Sequence, residues 1–174
     1  MTENSKKATS TIRVGALRFL GIDPGYQRMG LAVIEKNEKG KESLVYSDCI
    51  QTSNALPHTE RLRLLGESVR KTIIDYQPTH MGIEKLYFNG NQKTAMFVAE
   101  ARGVMLLCGA EAGLVITEFT PPEIKLAIAG YGRADKKQVF DMISKLINIP
   151  KTKRLDDEYD AIATALTASA CYRK

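Results

Sequence analysis

Three apolar runs stand close together near the start of the chain, and they limit the possible folds more than anything that follows. Leu17 to Ile22, Met29 to Lys36 and Leu44 to Gln51 each have the length and apolar content of a strand with a buried face. The links between them, "DPGYQR" and "NEKGKES", are short, polar and rich in turn-forming residues. Links this short cannot carry a crossover, so the three strands are expected as an antiparallel meander.

The pattern then alternates. "HTERLRLLGESVRKTIIDYQP" places apolar residues at Leu62, Leu65, Val69, Ile73 and Ile74, the spacing of an amphipathic helix, with Pro78 just past its end. Met81 to Leu86 reads as a strand. "NQKTAMFVAEARGVMLLCGAEAG" reads as a long helix, apolar on more than one face and so expected to be covered on both sides. Gly103 and Gly109 within it each cost roughly 1 kcal/mol against Ala, which points to close packing at those positions. "LVITEF", 114–119, is a further strand, and "PPEIKLAIAG" starts a short helix with its prolines in the first turn. "ADKKQVFDMISKLINIP" is a helix with Asp135 as N-cap and Pro150 as its stop. "DDEYDAIATALTASACY" is the last helix, its apolar face running Ile162, Ala165, Leu166, Ala170. The order β-β-β-α-β-α-β-α-α-α predicts an α/β domain: a mixed five-stranded sheet flanked by helices.

A length of 174 residues suits one domain, read here as a flexible polar N-terminal tail over 1–16 and a single domain over 17–174. No apolar run approaches the roughly 20 residues of a membrane helix, and the N-terminus lacks the apolar segment of a secretory signal, so a cytoplasmic protein is expected. Cys49, Cys108 and Cys171 are scattered, with no CxxC, and read as reduced thiols rather than a zinc site. His58 and His80 read as surface or strand-edge residues. The net charge of +5 shifts the expectation toward an anionic partner such as nucleic acid.

The carboxylates carry the chemistry. Asp23 stands at the end of the first strand and Glu84 on the strand "MGIEKLYF". In α/β sheets, functional groups gather at the carboxyl ends of strands. Two buried carboxylates on neighbouring strands repel each other and each loses hydration, and a divalent cation relieves both costs. The last helix adds Asp157 and Asp160 at i, i+3, with Asp156 and Asp160 at i, i+4 fitting almost as well. Only Asp160 is embedded in the apolar body of that helix, and Lys151, Lys153 and Arg154 upstream suit a phosphate backbone. An all-oxygen donor set suits Mg²⁺ or Mn²⁺, and two such ions about 4 Å apart are a standard device for in-line phosphodiester cleavage. Plainer readings exist for each part: Asp-Pro-Gly is a common turn, Glu84 could face solvent, and "DDE" suits a helix N-terminus.

"GIDPGYQRMGLAVIE", "GIEKLYFNGNQKTAMFVAEARGVML", "PPEIKLAIAGYGRADKKQV" and "DDEYDAIATALT" occur in that order from about Phe19 to Tyr172. Together they closely resemble the bacterial Holliday junction resolvases, the RuvC-type endonucleases. The resemblance implies an RNase H-like fold and a homodimer that binds a four-way DNA junction and nicks two opposing strands of like polarity. It implies Mg²⁺, with Mn²⁺ able to substitute, two ions per site, and a branch-migration complex of the RuvA/RuvB type as partner on nucleoid DNA. Carried over by motif, the metal ligands and catalytic acids are Asp23, Glu84, Asp157 and Asp160, with Asp157 selected over Asp156 by the D-x-x-D spacing. Lys136 joins the catalytic set. Tyr87 or Phe88 stacks on a base, and Lys125, Lys137 and Arg102 meet DNA. The long helix around Gly103 matches the family's dimer helix.

Three rivals differ in kind. An RNase H-like nuclease resembling the YqgF group would act on RNA, but would not be expected to carry "RADKKQV" with this acidic last helix. A sugar-kinase or actin-like ATPase needs two lobes and a longer chain. A junction-binding protein without catalysis would have no need of four acidic positions.

Overall fold

The computed structural model describes residues 16–86, 92–149 and 154–172. The expected tail over 1–16 falls almost wholly outside them. The elements follow the expected order: β1 (Leu17–Asp23), β2 (Arg28–Lys36), β3 (Glu42–Gln51), α1 (His58–Tyr76), β4 (His80–Glu84), α2 (Gln92–Glu111), β5 (Val115–Phe119), α3 (Pro121–Ala129), α4 (Lys136–Leu146) and α5 (Asp156–Cys171). The sheet order is β3-β2-β1-β4-β5. The β1–β2 and β2–β3 pairs are antiparallel, as the short links require, and β1–β4 and β4–β5 are parallel.

Alternation along the strands sorts the side chains into two cores. Leu20 and Ile22 of β1, Met29, Leu31 and Val33 of β2, and Met81 and Ile83 of β4 point to one face, where they meet Leu65 and Val69 of α1 and Ala101 and Met105 of α2. Phe19 of β1 and Ala32 and Ile34 of β2 point to the other, beneath α5, with Ile124 and Ile128 of α3 and Val139 and Ile143 of α4 closing over that helix. The result is a three-layer arrangement with α5 as an inner helix on one side.

That position corrects the expected single apolar face of α5. Every residue from Ala161 to Ser169 is buried, whereas Ala170 is exposed. A helix held between a sheet and two further helices has no solvent side, so small residues replace an amphipathic pattern. The strands complete the contact. A Cβ added at Gly21 would lie 2.2 Å from the Ala161 carbonyl oxygen, and one at Gly30 would lie 1.9 Å from that of Asp157. The α5 backbone therefore rests directly on the β1 and β2 backbones.

On the opposite face α2 is not fully covered. Met96, Phe97 and Leu107 are exposed, contrary to the expected cover on both sides. The two glycines divide in the same way. A Cβ at Gly109 would meet Met81 Sδ at 2.8 Å, whereas nothing lies within 4 Å of one at Gly103.

The backbone contact at Gly30 cannot be relieved by a side-chain rotation. Gly30→Ala is expected to destabilise the fold by roughly 3 kcal/mol, lowering the melting temperature by about 10 °C in a thermal denaturation followed by circular dichroism.

Candidate active site

Asp23 is the last residue of β1 and Glu84 the last of β4, and these strands are parallel neighbours whose paired register runs to Ile22 opposite Ile83. The two carboxylates therefore leave adjacent strand ends side by side. Both lie on the α5 side, in alternation with Gly21 and Gly82. Gly25, two residues past Asp23, shapes the turn: a Cβ there would lie 1.7 Å from the Arg28 carbonyl oxygen. The room this glycine leaves is taken by the returning chain.

The first turn of α5 brings the other acids. Asp157 turns inward, its side chain 14% exposed, whereas Asp156 faces outward at 64%. Asp160 lies one turn on, half-buried, beside Lys136 at the start of α4, whose Nζ is 3.4 Å from Asp160 Oδ2 and 3.7 Å from Asp156 Oδ2. Asp135 caps α4, accepting from the Gln138 backbone N–H at 2.8 Å, which holds Lys136 in the first helical position. Glu158 serves the frame. Its Oε2 accepts from Ser47 Oγ of β3 at 2.9 Å and lies 3.7 Å from Arg154 Nε, anchoring the α5 N-terminus to the sheet.

The electrostatics reflect the crowding. Burial first, then the charges of Asp160, Glu84 and Asp157, push the Asp23 carboxyl up to about 8. Burial and the Asp160 charge push Glu84 up to about 7, against the pull of Lys125 and Lys136. Burial also raises Asp160, opposed by Lys136. Asp157 Oδ2 is buried and accepts no hydrogen bond, although Arg28 Nε lies 3.3 Å away without the alignment of one.

A divalent cation fits this set. The donors are all hard oxygens, one of them buried and unsatisfied, and their mutual repulsion is what a divalent charge offsets. Among the described residues no three acidic, histidine or cysteine side chains are drawn close enough to cage an ion unaided.

The other expected residues are placed as follows. Lys125 on α3 is half-buried near Glu84, and Lys137 is exposed on α4. The Arg102 guanidinium is engaged, donating from Nε to the Glu84 carbonyl at 2.9 Å and pairing with Glu118, so it braces the end of β4. Tyr87, Phe88, Lys151 and Lys153 lie outside the described residues. Two neighbours of the site were not foreseen. Arg28, the first residue of β2, reaches Asp157 of α5, and no local pattern implies that contact. His58 is no bystander either: its Nδ1 is 2.8 Å from Tyr26 Oη and its Nε2 is 2.9 Å from Glu100, while the Tyr26 ring stacks on Phe97. This cluster ties the turn after Asp23 to α2, and no local pattern announces it.

The family model for crossover junction endodeoxyribonuclease RuvC matches residues 19–168. The crossover junction endodeoxyribonuclease RuvC of Halothermothrix orenii is 42% identical over 155 residues, covering 89% of this chain and 93% of that protein. The protein of the same name from Moorella thermoacetica is 43% identical over 148 residues, covering 85% of this chain and 88% of the relative. Among solved structures, Thermus thermophilus RuvC in complex with Holliday junction substrate superposes with a TM-score of 0.81 at 29% identity, covering 87% of this chain and 92% of that one. The yeast mitochondrial Holliday junction resolvase Ydc2, at 14% identity and a TM-score of 0.65, shares the fold. With acidic residues at adjacent strand ends, the RNase H-like layering and a match across nearly the whole described chain, the protein belongs to the RuvC family of crossover junction endodeoxyribonucleases.

Proposed function

We propose that this chain resolves four-way DNA junctions by endonucleolytic cleavage, in homologous recombination and DNA repair. The observation that carries the reading is the convergence of Asp23 and Glu84, at neighbouring strand ends, with Asp157 and Asp160 of α5 in a member of this family. These four residues hold the metal, Mg²⁺ or Mn²⁺, as two ions per site. When bound, the metal would supply positive charge for activating a water and for offsetting the charge that develops on the leaving 3′ oxygen.

The chain's own groups do the rest. Asp23 and Glu84 are fixed by the sheet, so their spacing does not yield as charge redistributes. Asp157 and Asp160 oppose them from a helix seated on the same strands. Lys136 Nζ, within 3.4 Å of Asp160, holds a positive charge beside the position of the scissile phosphate. Lys125 and Lys137 meet phosphates flanking it, and Arg102 acts from its brace at Glu84. Tyr87 or Phe88, following Glu84 in the chain, stacks on a base at the crossover.

The working unit is a homodimer formed through α2, which gives two cuts related by a two-fold axis. In support, Met96, Gly103 and Leu107 share an exposed stripe of that helix, and the open space at Gly103 permits close approach of a second backbone. The nuclease unit spans 17–174 behind a polar tail, and it acts in the cytoplasm on nucleoid DNA beside a branch-migration complex of the RuvA/RuvB type. Among the described residues no helix is long and apolar enough to cross a membrane.

Asp160→Asn is expected to lower junction cleavage by at least about 100-fold while gel-shift affinity for the junction survives; loss of both together would remove Asp160 from a purely catalytic role. The raised carboxyls predict a pH dependence of stability. Asp23 and Glu84 hold protons in the folded state that the unfolded chain releases near pH 4, so stability present at low pH is lost as pH rises through about 7 to 8. In EDTA the melting temperature is therefore expected to fall between pH 5 and 9. Mg²⁺ is expected to blunt the fall at the alkaline end, and Asp23→Asn to flatten most of it. Leu107→Glu is expected to give monomers by analytical ultracentrifugation and to replace paired nicks with single, uncoordinated ones.

A further inference from the structure

We propose that Arg28 is a built-in competitor of the divalent cation at Asp157, so that the chain sets its own metal affinity through a residue outside the acidic set. The inference rests on the metal reading above. Arg28 opens β2, and its backbone is fixed by pairing with Gln51 of β3. Its side chain is 53% exposed and has open water available. It nevertheless bends onto the carboxylate, with Nε 3.3 Å from Asp157 Oδ2. That oxygen is buried and receives no hydrogen bond, so the attraction is Coulombic and unaligned. A contact of this kind neutralises charge without locking geometry.

The fold keeps the two groups together. Asp157 cannot withdraw, because its carbonyl oxygen rests on the β2 backbone at Gly30, two residues from Arg28. The charges also divide between the two helical acids. Asp160 is served by Lys136, which donates to it at 3.4 Å, whereas the cation at Asp157 is Arg28. An ion that binds Oδ2 must displace the guanidinium or share the oxygen with it. A single charge beside a divalent ion at this range, in a water-like dielectric, weakens binding by about tenfold, and by less where the arginine swings away.

The test is isothermal titration calorimetry of Mn²⁺ into the DNA-free full chain at pH 8. Arg28→Gln is expected to bind the ion about three- to tenfold more tightly than the unaltered chain. Arg28→Lys, which keeps the charge, is expected to stay near the starting affinity. Adding Asp157→Asn to Arg28→Gln is expected to erase the gain. Equal or weaker binding by Arg28→Gln, with an unchanged circular dichroism spectrum and melting temperature, overturns the role of Arg28 and leaves the metal site standing. No Mn²⁺ binding by any of these proteins overturns both.

Discussion

The site depends on how closely α5 approaches the sheet. An ordinary helix packs on a sheet through a layer of interdigitated side chains. Here the strands present glycine beneath α5 at Gly21 and Gly30, and the helix answers with Ala161 and Ala165, so backbone rests on backbone. Asp157 and Asp160 extend by only one carboxymethyl group each. With an ordinary side-chain layer beneath the helix they would stand several ångströms farther from Asp23. The same approach explains why α5 is alanine-rich and wholly buried from Ala161 to Ser169.

Close approach concentrates negative charge, and much of the surrounding structure answers it. Lys136 is held in position by the α4 cap, Arg28 by the β1–β2 turn, and Lys125 stands near Glu84. The α5 N-terminus adds its own partial positive charge beneath Asp156, Asp157 and Glu158. These cations do not remove the strain on Asp23, whose carboxyl remains far above its ordinary range. A divalent ion that takes this carboxylate displaces its proton to solvent and offsets the crowded negative charge, which is the thermodynamic sense in which the site is built for metal.

The other face of the sheet serves placement rather than chemistry. α1 and α2 cover β1, β2 and β4 with large apolar side chains. The Tyr26–His58–Phe97 cluster then links α2 to the turn that follows Asp23. A helix that leaves Met96 and Leu107 in solvent on one side is thus connected on the other to the loop that follows Asp23.

The order of elements along the chain, the antiparallel pairing of the first three strands and the placement of Asp23 and Glu84 on strands were legible in the sequence, because they rest on local periodicity, turn residues and short links. Spacing alone left Asp156 and Asp157 both open, and only the resemblance selected Asp157; their exposures, 64% against 14%, arise from the direction α5 takes across β2. The burial of α5 on all sides, the freedom of Gly103 against the crowding at Gly109, and the partners of Arg28, His58 and Arg102 were not legible. Each joins residues far apart in the chain or on different elements, and no periodicity encodes a contact between elements. The sequence by itself determined which elements form and which acids terminate them. Only the tertiary structure decided how near those acids stand to one another and which cations face them, since both depend on a helix-to-sheet distance set by glycines on separate strands.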